Sequence, residues 1–234
     1  MRKSVLRAMA LGAVLSISLF GCGKEEEPLV SVEIGSHMNF GSYQGEEIDW
    51  RVLAVKGGNV LLLSEYGLDV KPYHEEKVDD ISWEDCSLRK WLNEDFYEAA
   101  FSAEEKEQIV ATSTEGFPAH NYHSPGDGKL TINERPTEDK VCLLTYTEAC
   151  EYLSAFTETD HKKDCQPTAY AQGNENLRVY NGICGWWLSS TKRYYGNLGL
   201  PMSVSRFSSF DVENNTASME NAVRPAIWIS GEGL

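Results

Sequence analysis

The chain has 234 residues, of which 36 are Asp or Glu and 21 are Lys or Arg, for a net charge of −15. So acidic a chain is a poor partner for nucleic acid or an anionic lipid surface, and cationic groups and divalent metals remain open to it. With 41% hydrophobic residues it can build a core without a disulfide framework.

Residues 1–21 read as a signal peptide outside the fold. Arg2, Lys3 and Arg7 form a positive head, and residues 8–21 an apolar run too short to span a bilayer comfortably. Its end, Leu19-Phe20-Gly21-Cys22, resembles the bacterial lipobox, in which the cysteine receives a diacylglyceryl group and becomes the mature N-terminus. Lipidation of Cys22 is therefore expected, with the membrane as partner and an extracytoplasmic, lipid-anchored location. Residues 22–28 then hold the lipidated cysteine and a charged tether that reaches about 20 Å at roughly 3.3 Å per residue. Without the leader, 213 residues remain, with 18 basic against 36 acidic side chains and a net charge of −18. Residues 29–234 are expected to form one α+β domain.

Alternation predicts a strand from Leu29 to Phe40. Two β-rich runs, Ile48–Val55 and Val60–Ser64, flank Lys56-Gly57-Gly58-Asn59 and predict a hairpin. A short strand is expected near Val70 to Tyr73. Leu88, Trp91, Leu92, Phe96 and Ala99 then mark one apolar stripe of a helix between Trp83 and Phe101, capped by Asp85 or Ser87. Ser102 and Glu105 spell a capping box, as do Thr145 and Glu148. Ile109–Thr114 and Val141–Leu144 read as strands, and residues 115–138 as a long surface insertion. A helical turn is expected near Thr168–Ala171. The chain ends in strands at Gly185–Ser190, Gly199–Phe207, Phe210–Val212 and Ala222–Ile229, with Pro225 predicting an edge or a bulge in the last.

Once Cys22 is lipidated, Cys86, Cys142, Cys150, Cys165 and Cys184 remain, an odd number without a CxxC pair. Cys142 and Cys150 are expected in the core, and one disulfide involving Cys165 or Cys184 stays open.

Separated motifs resemble a bacterial domain family of unknown function that is common in clostridia and related Gram-positive bacteria. They are Trp50-Arg51-Val52-Leu53, the S-x-L-R-x-W-L-N stretch from Ser87, Asp139–Thr145, Thr168-Ala169-Tyr170-Ala171, Trp186-Trp187-Leu188 and Val223-Arg224-Pro225-Ala226. Where that family typically has arginine after W-W-L, this chain has Ser189. A more distant likeness is to the formylglycine-generating enzymes. It implies a C-type-lectin-like fold, a small twisted mostly antiparallel sheet with flanking helices and long irregular loops. Arg224-Pro225-Ala226 has proline where those enzymes carry their reactive cysteine, and only Cys184 stands near the last strands.

Asp127, Gly128 and Glu134 match the second half of an EF-hand loop and make calcium a candidate cofactor, although His123 and Pro125 are not usual ligands for its first half. His120 and His123 are a second metal-ligand pattern. Trp186, Arg193, Tyr194, Tyr195 and Asn197, with Trp187, Asn214 and Trp228 nearby, suit stacking on a sugar or contact with a peptide. Trp186 and Trp187 fall on opposite faces of a strand, so one is expected in the core. No hydrolase elbow, P-loop or dinucleotide fingerprint is present. The expected function is recognition of an extracellular glycan, cell-wall polymer or protein. A divergent formylglycine-generating-type enzyme and an accessory lipoprotein are the alternatives.

Overall fold

In a computed structural model, the described residues are 32–113, 121–123, 129–133, 137–154, 163–194, 198–207, 209–211, 215–232 and 234. The architecture is sheet-rich and mostly antiparallel, with few and short helices. In chain order the strands before the first helix are β1 (His37–Tyr43), β2 (Glu46–Lys56), β3 (Asn59–Ser64) and β4 (Asp69–Pro72). Gly57 and Gly58 lie at φ 58° and 76°, the left-handed pair that a two-residue hairpin turn requires, and β2 pairs with β3 across them.

The helical segment is α1 (Ser87–Trp91), a π-helical stretch (Leu92–Phe96) and α2 (Tyr97–Ala100) in unbroken succession, followed by α3 (Ala103–Gln108). Leu88, Leu92 and Phe96 of the expected stripe are buried, whereas Ala99 is exposed and Tyr97 and Ala100 are buried instead. The π turn adds one residue to the helical repeat, so the apolar face moves on by one position after it. The cap also differs from expectation. The Cys86 thiol accepts from the Arg89 amide at 3.4 Å, while Ser87 Oγ accepts from the Glu75 amide and Asp85 accepts from the Ser82 hydroxyl. Both capping boxes form as expected, Ser102 with Glu105 and Thr145 with Glu148.

Next come β5 (Ile109–Val110), β6 (Thr112–Ser113), β7 (Asn121–His123), β8 (Lys129–Asn133), β9 (Glu138–Asp139), α4 (Tyr146–Ser154) and α5 (Ala169–Gln172). The expected surface insertion is thus not irregular throughout, since β7 and β8 pair as a hairpin and β8 joins a sheet. Val141–Leu144 is buried, but its only ladder contact among the described residues is a bridge from Cys142 to Ala226. The last strands are β10 (Val179–Tyr180), β11 (Ile183–Cys184), β12 (Trp186–Tyr194), β13 (Leu198–Val204), β14 (Phe210–Asp211), β15 (Glu220–Val223) and β16 (Ala226–Ser230).

Two large sheets result. One has the order β1-β2-β3-β16-β5 and the other β14-β13-β12-β15-β4, with β8 and β7 continuing beside β12. Pro225 is neither at an edge nor in a bulge. It separates β15, in one sheet, from β16, in the middle of the other, so the missing N–H falls where the chain changes sheets. Along β3, Val60 and Leu62 enter one core and Leu61 and Leu63 a second. Trp187 lies in the first core and Trp186 in the second, both fully buried. The expectation that only one would be core fails because β12 is covered on both faces.

The helix is tied to the chain before α4 by two polar side chains. Asp139 accepts from Arg89 Nε at 2.7 Å, Thr137 Oγ1 at 2.7 Å and Trp83 Nε1 at 3.0 Å. The Asn93 amide donates to the carbonyls of Arg89 and Val141, and its oxygen accepts from the amides of Lys140 and Val141. Asn93→Ala leaves these backbone groups without partners and is expected to cost about 2–3 kcal/mol in urea unfolding. A loss below about 0.5 kcal/mol, the range of an ordinary surface substitution, would show that Asn93 does not hold the helix.

Candidate functional site

A cavity of about 480 Å³ opens between the C-terminal end of β13 and the N-terminal half of β15, next to Gly185. A side chain at Gly185 would stand 3.0 Å from Asn221 Oδ1 and 3.1 Å from the Val204 carbonyl, so the wall needs a glycine there. The floor is polar. Asn215, 4% exposed, donates its amide to Ser203 Oγ at 2.9 Å and to the Pro201 carbonyl at 3.3 Å. Glu220 also lines the cavity; its Oε2 is buried and accepts no hydrogen bond among the described residues. Arg178 and Arg206 supply positive charge to the same walls.

The rim is aromatic. After β13 the chain turns tightly, with the Ser205 amide bonded to the Ser209 carbonyl at 2.7 Å and the Phe207 amide to Ser205 Oγ at 3.2 Å. This turn presents Phe207 at 61% exposure. Tyr180, 53% exposed, ends β10 beside a turn whose Asn181 and Gly182 both have positive φ. The Tyr180 and Phe207 rings lie 5.3 Å apart at 58°, and the Arg206 guanidinium lies 4.9 Å from the Phe207 ring. An exposed ring in the lining, a second ring packed against it, and carboxylate, amide, hydroxyl and guanidinium groups in the same cavity can stack on an apolar face and hydrogen-bond a polar edge.

A wider cleft of about 820 Å³ lies over the helix, lined in part by Arg89, Asn93 and Asp139. Those three groups are committed to one another and to the backbone, which marks the cleft as the outer surface of the helix clamp.

The described thiols are not alike. Burial pushes the Cys86 thiol up to about 12 and the Cys142 thiol well above its ordinary range, so neither is poised as a nucleophile. Cys184 has a second thiol beside it. Cys165, 19 positions earlier, packs against it, which the spacing of the cysteines along the chain does not show.

Of the expected contact residues, Trp186 is 0% exposed. Its Nε1 donates to the Lys163 carbonyl at 3.0 Å and its ring lies 5.1 Å from the Arg224 guanidinium, so it is a core residue and not a surface platform. The backbones of Arg193 and Tyr194 end β12, opposite Gly199 and Leu198 of β13. Their side chains, together with Tyr195, Asn197 and Asn214, lie outside the described residues, as do Cys22, His120, Asp127 and Glu134. The backbone of His123 closes the β7–β8 hairpin opposite Lys129. Among the described residues no three His, Cys, Asp or Glu side chains converge as a metal site. Tyr180 and Phe207 were not singled out from the sequence, where each is one aromatic in a short polar turn.

A family model described as a domain of unknown function, DUF6273, matches residues 57–231, and the chain belongs to that family. No curated protein matches the chain, and no solved structure does. Because Glu220 Oε2 is buried and accepts no hydrogen bond among the described residues, Glu220→Gln is expected to leave the melting temperature unchanged or raise it slightly. A fall of more than about 3 °C, equivalent to roughly 1 kcal/mol in a domain of this size, would show that the carboxylate is paired.

Proposed function

We propose, starting from membership in a family without an assigned activity, that this chain is a membrane-anchored recognition module whose cavity takes a saccharide unit of a cell-wall polymer. The observation that carries the reading is exposed Phe207 in the lining of a polar cavity, with the exposed Tyr180 ring packed against it. Large rings left in water cost free energy that a flat sugar face recovers on stacking, while Glu220, Asn221 and the two arginines offer both acceptors and donors to hydroxyl, amide or acidic substituents. A diacylglyceryl group on Cys22 would hold the module at the outer face of the cytoplasmic membrane, within a short tether's reach of the wall. A C-type-lectin-like ground plan belongs to the same proposal, as the arrangement that would put such a site on loops between strands.

Two measurements test it. Titration of wall polysaccharide or peptidoglycan fragments into the mature chain is expected to saturate, and Phe207→Ala to weaken binding about tenfold, the equivalent of roughly 1.4 kcal/mol of lost stacking. The variant should melt as the parent does, because Phe207 is exposed. Equal affinity in the variant, or no binding of any wall fraction, contradicts the reading. Separately, a fatty-acid label fed to expressing bacteria should appear on the chain and vanish in Cys22→Ala; a label that persists would remove the anchor.

A further inference from the structure

We propose that Cys165 and Cys184 are a disulfide-forming pair, closed when the chain folds in the presence of a small-molecule or protein disulfide as oxidant. In this structure both are thiols, and both are fully buried in the second core. The Cys184 amide donates to the Cys165 carbonyl at 2.8 Å, and the Cys184 thiol to the same carbonyl at 3.1 Å. That single backbone bond holds the two residues side by side, within the reach a disulfide spans. The two sulfurs are also neighbours. A Cβ placed on Gly67 would lie 3.3 Å from Cys165 Sγ and 3.6 Å from Cys184 Sγ, so both occupy the space over one backbone point. Cys86 and Cys142 instead engage the Arg89 amide and the Ala226 carbonyl.

In the folded arrangement the electrostatics of the two thiols differ. Burial raises the Cys165 thiol, but the hydrogen bond from Cys184 and the Arg224 guanidinium outweigh it and hold Cys165 below its ordinary value. Cys184 is driven the other way by that same hydrogen bond and by burial. The pair therefore loses a first proton readily and a second with difficulty, the pattern of an attacking thiolate beside a resolving thiol.

The step balances as thiol–disulfide exchange. The Cys165 thiolate attacks one sulfur of the oxidant, breaking its S–S bond and releasing one oxidant thiolate. Cys184 then gives up its proton and attacks Cys165 Sγ, which releases the second oxidant thiolate. Two protons and two electrons leave the protein, and the oxidant is reduced to two thiols. Because both sulfurs are buried once the core closes, the exchange belongs to folding. The closed loop carries Arg178 of the cavity wall and Tyr180, which packs on the cavity's Phe207, so the bond would tie both to the core.

The test is to refold the full chain from denaturant in mixed oxidised and reduced glutathione, quench with acid, denature, alkylate without reduction and map the peptides. The expected product has Cys165 linked to Cys184, is lighter by two hydrogen atoms, and carries alkyl groups on Cys86, Cys142 and Cys150, and on Cys22 where that residue bears no lipid. Reduction should lower its melting temperature by about 5 °C or more, and Cys184→Ser should abolish that redox dependence. Alkylation of both Cys165 and Cys184, or linkage of either to another cysteine, would overturn the proposal even if the serine variant fails to fold. The outcome does not depend on what the cavity binds.

Discussion

Arg224, buried where the chain passes between two sheets, is the interaction on which the rest of the structure depends. β15 leaves one sheet at Val223 and β16 enters the other at Ala226, so the crossing brings carbonyls together that neither ladder can satisfy. Arg224, 1% exposed, donates Nε to the Ser64 carbonyl at 2.8 Å and Nη1 to the Asp164 carbonyl at 3.3 Å. Its charge faces Glu65 at 4.0 Å and the Trp186 ring. Glu65 in turn holds Arg51 through two bonds of 2.6 and 2.8 Å. A guanidinium suits the place because its fork of donors serves several carbonyls at once and stacks on an aromatic face, which an ammonium could not do. Pro225 completes the crossing. It has no N–H to satisfy, and its carbonyl accepts from the Ser64 amide at 2.9 Å.

The cavity follows from that crossing. Trp186 is drawn inward against Arg224, and Cys184 two residues earlier is drawn inward against Cys165. Between two residues facing one core on an extended segment, the intervening position faces the opposite side. That position is Gly185, and it forms the cavity wall. The cavity wall and the buried crossing are thus connected through three consecutive residues, which ties the wall to the core.

Local chemistry carried much of the fold. The Gly57-Gly58 hairpin and both capping boxes were legible because each is decided by a few neighbouring residues. Apart from its cap, the helix between Trp83 and Phe101 was legible up to Phe96, and its last turn was not, because a π turn shifts the face without a mark in the pattern. The sheet crossing at Pro225 was misread as an edge or a bulge. Proline reports a missing donor, and only tertiary context says why the donor is not needed. The site was legible least. Trp186 stood out as a large aromatic, yet its neighbour Arg224, 38 positions later, buries it. Tyr180 and Phe207 come from two separate turns, and no local pattern announces that they meet.

The most direct measurement replaces Phe207 with a fluorinated phenylalanine and follows its 19F resonance while purified wall polysaccharide is added to the chain. A saturable shift, at the same midpoint as bulk binding, is predicted for a ring that stacks on the ligand at the cavity rim. Binding that saturates by calorimetry while the Phe207 resonance stays in place would contradict the assignment of recognition to this cavity.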